Sequence, residues 1–147
     1  MFGSIVVGTD GSATAKEAVR QAIDLAKQVG ASLDIVSAYE PVSGDRLRSE
    51  QREAPKDVEW AVNPREDVDH TLEEAARETR EAGVEVETFA RQGDPADAIL
   101  DVAEERGSDL IVVGNKGMTG AKRFLLGSVP NKVSHHATCS VLIIRTT

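Results

Sequence analysis

Apolar positions fall into five short runs separated by stretches of helical spacing. The runs are Ser4 to Gly8, Leu33 to Tyr39, Val84 to Ala90, Leu110 to Gly114 and Ser140 to Arg145. In the first, fourth and fifth, β-branched residues and leucine follow one another with little alternation, the pattern of strands buried on both faces. The second and third are more mixed. After Thr14-x-x-Glu17, which reads as a capping box, Ala15, Ala18, Val19, Ala22, Ile23 and Ala26 recur at helical spacing until Gly30 offers a stop. Asn63-Pro64 sets a capping side chain before a proline at the first helical position, and Val68, Leu72, Ala75, Ala76 and Thr79 form the face of a second helix ending near Gly83. Asp94-Pro95 repeats the device for a third, with Ala96, Ile99, Leu100 and Ala103 inward and Gly107 as the stop. A fourth is expected from Ser128, with Pro130 in its first turn, to about His136. Glu40 to Val62 lacks periodicity and contains Pro41, Gly44 and Pro55, so it reads as a long mobile loop.

Strands alternating with helices predict the α/β class: a single-domain three-layer α/β/α fold on a five-stranded parallel sheet. Right-handed crossovers give the order 3-2-1-4-5, which makes the first and fourth strands neighbours where the strand order reverses. The 147 residues suit one domain spanning 1–147. No apolar run approaches the roughly 20 residues that cross a bilayer, and Met1 to Gly8 has neither the basic region nor the cleavage site of a signal peptide. A lone cysteine, Cys139, leaves no internal disulfide, so a cytoplasmic location is expected.

The net charge of −8 argues against a nucleic-acid partner. All 25 acidic residues lie at or before Asp109, against 12 basic ones there, while Leu110 to Thr147 holds 5 Lys and Arg and no acid. That quarter suits an anion, or it is a short stretch that lacks acids by chance or through burial.

The fourth run leads into Gly114-Asn115-Lys116-Gly117, and Gly127-Ser128 follows at the start of the fourth helix, giving G-x2-G-x9-G-S. Glycines there let backbone approach a ligand closely, and free N–H groups at a helix start favour phosphate oxygens. Ser128 either caps the helix or turns its hydroxyl to a phosphate, and Lys116, Lys122 and Arg123 offer positive charge. The spacing is neither that of the P-loop nor that of the dinucleotide fingerprint. A second polar turn, Gly8-Thr9-Asp10-Gly11-Ser12, ends the first strand, and two such turns side by side mark the ligand position of an open α/β sheet.

Val6-Val7-Gly8-Thr9-Asp10-Gly11-Ser12, the glycine pattern, Leu125-Leu126-Gly127-Ser128-Val129 and His135-His136-Ala137-Thr138-Cys139-Ser140-Val141-Leu142-Ile143-Ile144 together resemble universal stress proteins over nearly the whole chain apart from Glu40 to Val62. The complete G-x2-G-x9-G-S is the mark of that family's nucleotide-binding branch. The resemblance implies ATP or another adenine nucleotide, accompanied where needed by Mg2+, in a site made of Gly8, Thr9, Asp10, Ala38, Val113, Gly114, Lys116, Gly117, Gly127, Ser128 and Val129. Phosphates would run along Gly114, Gly117, Gly127 and Ser128, with Gly8 and Asp10 beside base and ribose and Ala38 and Val113 lining the base pocket. Gly8 and Ser140 stand where some members have proline.

Asp10 divides between a ligand role and turn-forming. His135 and His136 are adjacent rather than at i, i+4, so no metal site is assigned, and they read as partners of a helix C-terminus. His70 and Trp60 are isolated, and Cys139 reads as a small core residue. The phosphate segment contains no Asp, Glu or His to orient a water, so no catalytic residue is assigned. Phe89-Ala90-Arg91-Gln92 lacks the aspartate a receiver domain needs at the end of its third strand, and Asp10 would oppose the phosphate of a flavodoxin cofactor. The expectation is a nucleotide-binding stress-response or regulatory protein, not an enzyme. Slow ATP hydrolysis, binding of a cyclic adenine nucleotide and a pure protein-interaction module are the alternatives. A homodimer is expected through the edge strand Ser140 to Thr146, whose Val141-Leu142-Ile143-Ile144 carries no guarding charge before Arg145.

Overall fold

The computed structural model describes residues 2–39, 65–115 and 126–146. Along the chain come β1 (Ser4–Gly8), α1 (Ala13–Val29), β2 (Ser32–Tyr39), α2 (Arg65–Glu81), β3 (Val86–Gln92), α3 (Pro95–Arg106), β4 (Leu110–Gly114), α4 (Ser128–His136) and β5 (Ser140–Ile144). The strands pair in parallel in the order β3-β2-β1-β4-β5, as the crossover rule predicts.

Strand side chains alternate between two cores. Ile5, Val7, Leu33, Ile35, Leu110 and Val112 meet α1 and α2 on one face. Val6, Val36, Ala38, Ile111 and Val113 meet α3 and α4 on the other. Ile5, Leu33, Ile35, Ile99 and Ile111 are wholly buried, and each such side chain contributes about 1.5–3 kcal/mol on leaving water. The helices stop where glycine allows a left-handed turn, at Gly30 (φ 74°) and Gly107 (φ 64°).

Several expectations shift. Thr14 does not open α1: the cap is Ser12, whose hydroxyl accepts from Ala15 N at 3.3 Å, and Glu17 binds Arg20 and Gln21 instead of reaching back. The polar turn after β1 supplies its own cap two residues earlier than the box motif. β3 runs from Val86 to Gln92, two residues later than the apolar run suggests, because Val84 is buried in the turn after α2. β2 is buried almost throughout despite its mixed composition, whereas β5 is half exposed despite its apolar run, with Leu142 at 38%. Centre and edge positions in the sheet, rather than composition, decide both. In α3, Ala98 and Val102 are buried, and Leu100 is only partly so. The expected loop Glu40 to Val62, with Trp60, and the Asn63-Pro64 cap lie outside the described residues.

One charge sits inside the sheet. Asp34, on β2, is 2% exposed. Its carboxylate accepts from Arg106 Nε at 3.3 Å, and the same guanidinium reaches Glu87 at 3.3 Å and lies over the Phe89 ring. Burial pushes the Asp34 carboxyl above its ordinary range, and the Arg106 guanidinium opposes that rise. A carboxyl raised in the folded state contributes stability that is complete below its unfolded pKa of about 4 and is lost as pH rises through its folded value. Arg106→Ala removes the opposing charge, so its melting temperature is expected to fall below wild type at about pH 7 and to recover toward it by about pH 4.5 as Asp34 takes up a proton. Thermal melts at the two pH values check this; an equal deficit at both would contradict it.

Candidate functional site

The centre of the sheet forms the candidate site at its carboxyl edge. Ile5, Val6 and Val7 of β1 lie beside Leu110, Ile111 and Val112 of β4, so both strands end at the reversal point, in Gly8 and Gly114. β1 stops there, whereas β2, aligned Gly8 to Val36, continues to Tyr39. At about 3.3 Å per residue, β2 extends beyond the end of β1 by roughly 10 Å, and Gly8 is buried beside it. Ala38 lies in that extension of β2, and Val113 lies on β4 next to Gly114. Both are buried, at 3% and 1%, in the same apolar cluster as Val129 of α4.

The turn after β1 is held by its own side chains. Thr9 N donates to Val36 O at 2.9 Å, Thr9 Oγ1 accepts from Gly11 N at 3.1 Å, and Asp10 Oδ1 accepts from Ser12 N at 2.9 Å. Thr9 and Asp10 are buried, and turn-forming is thus one role Asp10 fills. Gly11 has to be glycine: its φ is 83°, and a Cβ there would meet Thr71 Oγ1 of α2 at 2.9 Å.

Gly127 is brought to the end of β4 by a bond from its amide to Asn115 O at 3.4 Å. It is the N-cap of α4, without a side-chain cap bond, and Ser128 is the first helical residue, exposed. Ser128 therefore does not serve as the cap. Among the described residues, five glycines have positive φ: Gly11, Gly30, Gly83, Gly93 and Gly107. Gly8, Gly114 and Gly127 are not among them, and Gly127, at φ −66° and ψ 168°, has backbone that any residue adopts. Chain conformation gives no reason for glycine at these three places, of which Gly8 and Gly127 are buried and Gly114 is partly so.

Lys116 and Gly117, with Lys122 and Arg123, lie outside the described residues. Lys132 is bound elsewhere: its ammonium reaches Asp97 at 2.9 Å and Asp94 at 3.4 Å, tying α4 to the capped start of α3. Asp94 meanwhile accepts from Asp97 N at 3.0 Å. Sequence reasoning missed this staple and also missed Asn115, whose side chain accepts from Thr146 N and Oγ1 at 3.1 and 3.0 Å. Neither carries a sequence signal, since both act between segments distant along the chain. His135 and His136 are exposed in the last turn of α4, and His135 Nδ1 lies 2.8 Å from Asn131 O. Cys139 is half-buried against the α4-side core, and burial pushes its thiol pKa up. An open cleft of about 530 Å³ lies on the α1 side, bordered by Ala13, Thr14, Glu17, Arg145 and Thr146. It contains none of the expected site residues. No group of three or more His, Cys, Asp or Glu suited to a metal is found among the described residues.

Known proteins resemble this chain over nearly its whole length. Universal stress protein YxiE of Bacillus subtilis is 35% identical over 99% of this chain and 100% of its own. A universal stress protein crystallised with cAMP is 32% identical with a TM-score of 0.73, covering 99% of this chain and 98% of that one. The universal stress protein of Archaeoglobus fulgidus in complex with dAMP is 26% identical with a TM-score of 0.65, covering 97% and 98%. With residues 1–145 matching the universal stress protein family, the chain belongs to that family.

Proposed function

We propose that this protein binds an adenine nucleotide, with ATP as the physiological ligand, and acts as a cytoplasmic stress-response or regulatory protein through nucleotide occupancy. The observation that carries the reading is the trio Gly8, Gly114 and Gly127, gathered at the reversal point without any backbone need for glycine. The relatives bound to cAMP and dAMP support it, because both ligands share adenine, a ribose-type sugar and one phosphate. In the ATP reading the longer phosphate chain follows Gly114, Lys116, Gly117, Gly127 and Ser128, while Thr9 and Asp10 stand beside the sugar and Ala38, Val113 and Val129 support the base. Mg2+ would ride on the phosphates, with Asp10, in the turn after β1, a carboxylate at that end of the sheet. The cAMP-bound relative favours a cyclic adenine nucleotide as the second reading.

Mass spectrometry of ligand released from purified protein identifies the nucleotide. On nucleotide-free protein, the preferred ligand at about 100 times its dissociation constant is expected to stabilise the fold by about 2.7 kcal/mol, on the order of 5–10 °C in melting temperature. Melts unmoved by ATP, AMP and cAMP alike would contradict the reading.

The protein is proposed to hold its ligand rather than turn it over. Asp10 is already engaged by the turn amide, and no carboxylate or imidazole occurs from Leu110 through Val133. Hydrolysis is expected far below the usual enzymatic range of about 1–1,000 per second; tens per second surviving repurification would assign it to the enzymes.

A further inference from the structure

Asn115 stands where three segments meet: the end of β4, the start of α4 and the end of β5. Its amide donates to Ile144 O at 2.9 Å, and its carbonyl accepts from Gly127 N at 3.4 Å. Its side-chain Oδ1 accepts twice from Thr146, at 3.1 Å from the amide and 3.0 Å from the hydroxyl, which uses both lone pairs of that oxygen. The backbone of Asn115 thus lies between Gly114 and Gly127, while its side chain holds the segment that follows β5. Thr146, two residues past the end of β5, borders the cleft beside the first turn of α1.

We propose that Asn115 is a positioning residue that links occupancy of the nucleotide site to the seating of Thr146; the inference rests on the adenine-nucleotide reading above. A ligand that fixes Gly114 and Gly127 also fixes the Asn115 backbone between them. The side chain then loses less freedom in holding Thr146, so each event favours the other without any change of fold. Linkage makes the effect reciprocal: the factor by which nucleotide suppresses release of Thr146 equals the factor by which loss of that contact weakens nucleotide binding.

Amide hydrogen exchange at Thr146, followed by NMR in the full chain with and without saturating ATP, reads one side. Calorimetric ATP affinity reads the other. In wild type, ATP is expected to slow exchange at Thr146 by about five- to tenfold, within the usual range of such couplings. Asn115→Ala is expected to leave Thr146 exchanging fast in both states and to weaken ATP by the same factor. Asn115→Asp, which keeps the acceptor oxygen, restores protection in the free protein. A chain ending at Arg145 is expected to reproduce the affinity loss, and it supplies that measurement if Asn115→Ala does not fold. ATP binding in wild type with Thr146 exchange unmoved overturns the link and leaves the nucleotide reading standing, as does wild-type affinity in the shortened chain. No binding of ATP, AMP or cAMP to nucleotide-free protein overturns the nucleotide reading and the link with it.

Discussion

Gly127→Val is expected to give a folded protein whose affinity for adenine nucleotide is reduced at least about 100-fold, which corresponds to about 2.7 kcal/mol. At φ −66° and ψ 168°, valine fits the backbone of this position, so the substitution does not strain the chain at that point. Its side chain instead occupies the space through which phosphate oxygens would approach the amides at the start of α4. Gly117→Val, outside the described residues, is expected to act alike on the strength of the G-x2-G-x9-G-S spacing. Gly127→Ala is the gentler form for the event that valine disturbs the buried surroundings. Titration calorimetry beside circular dichroism separates the outcomes: wild-type affinity in both folded Gly127 variants removes this glycine from the site.

The second large effect concerns assembly, and we propose a homodimer joined through Ser140 to Thr146. Among the described residues β5 pairs only with β4, and Leu142 is exposed on this edge strand. A long apolar edge of this kind recruits another strand, and a twofold axis lets two copies pair antiparallel and bury the same patch on each. Ile143 packs against the α4-side core, and a charge there would injure the subunit itself. Leu142→Lys tests the contact more cleanly. Analytical ultracentrifugation at micromolar concentration is expected to find a dimer for wild type and a monomer for Leu142→Lys. Val29→Lys, altering an exposed apolar residue at the end of α1, is expected to remain dimeric. A monomeric wild type would end the proposal.

The fold was legible because its signals are local and agree with one another. Ala15 to Ala26 announce the buried face of α1 by spacing alone, Asp94-Pro95 and Gly107 mark both ends of α3, and β1 and β4 are apolar enough to need a central place. What sequence reading missed depends on neighbours. The apolar run of β5 has the composition of a central strand, and only its edge position exposes Leu142. Asp34 stands in β2 like an error of pattern until Arg106, 72 residues later, supplies its counterion. The site divides similarly: Gly8, Asp10, Gly114 and Gly127 are visible as motifs, whereas Asn115 and Lys132 acquire their roles from Thr146, Asp94 and Asp97. Thr14-x-x-Glu17 shows the converse, a sound motif displaced because Ser12 stood closer to the turn.

The ordinary backbone at Gly8 and Gly114 has a consequence for folding entropy. A glycine loses more freedom on entering a strand than alanine does, at a cost of about 0.5–1 kcal/mol each. At Gly30 and Gly107 that cost accompanies left-handed turns that end helices, whereas Gly8 and Gly114 take no left-handed conformation to offset it. The ligand-free protein is therefore weakened by about 1–2 kcal/mol at the carboxyl edge of its central strands. Alanine at either position would recover that freedom only where a Cβ finds room, and at Gly8 it would have to find it in a buried strand end.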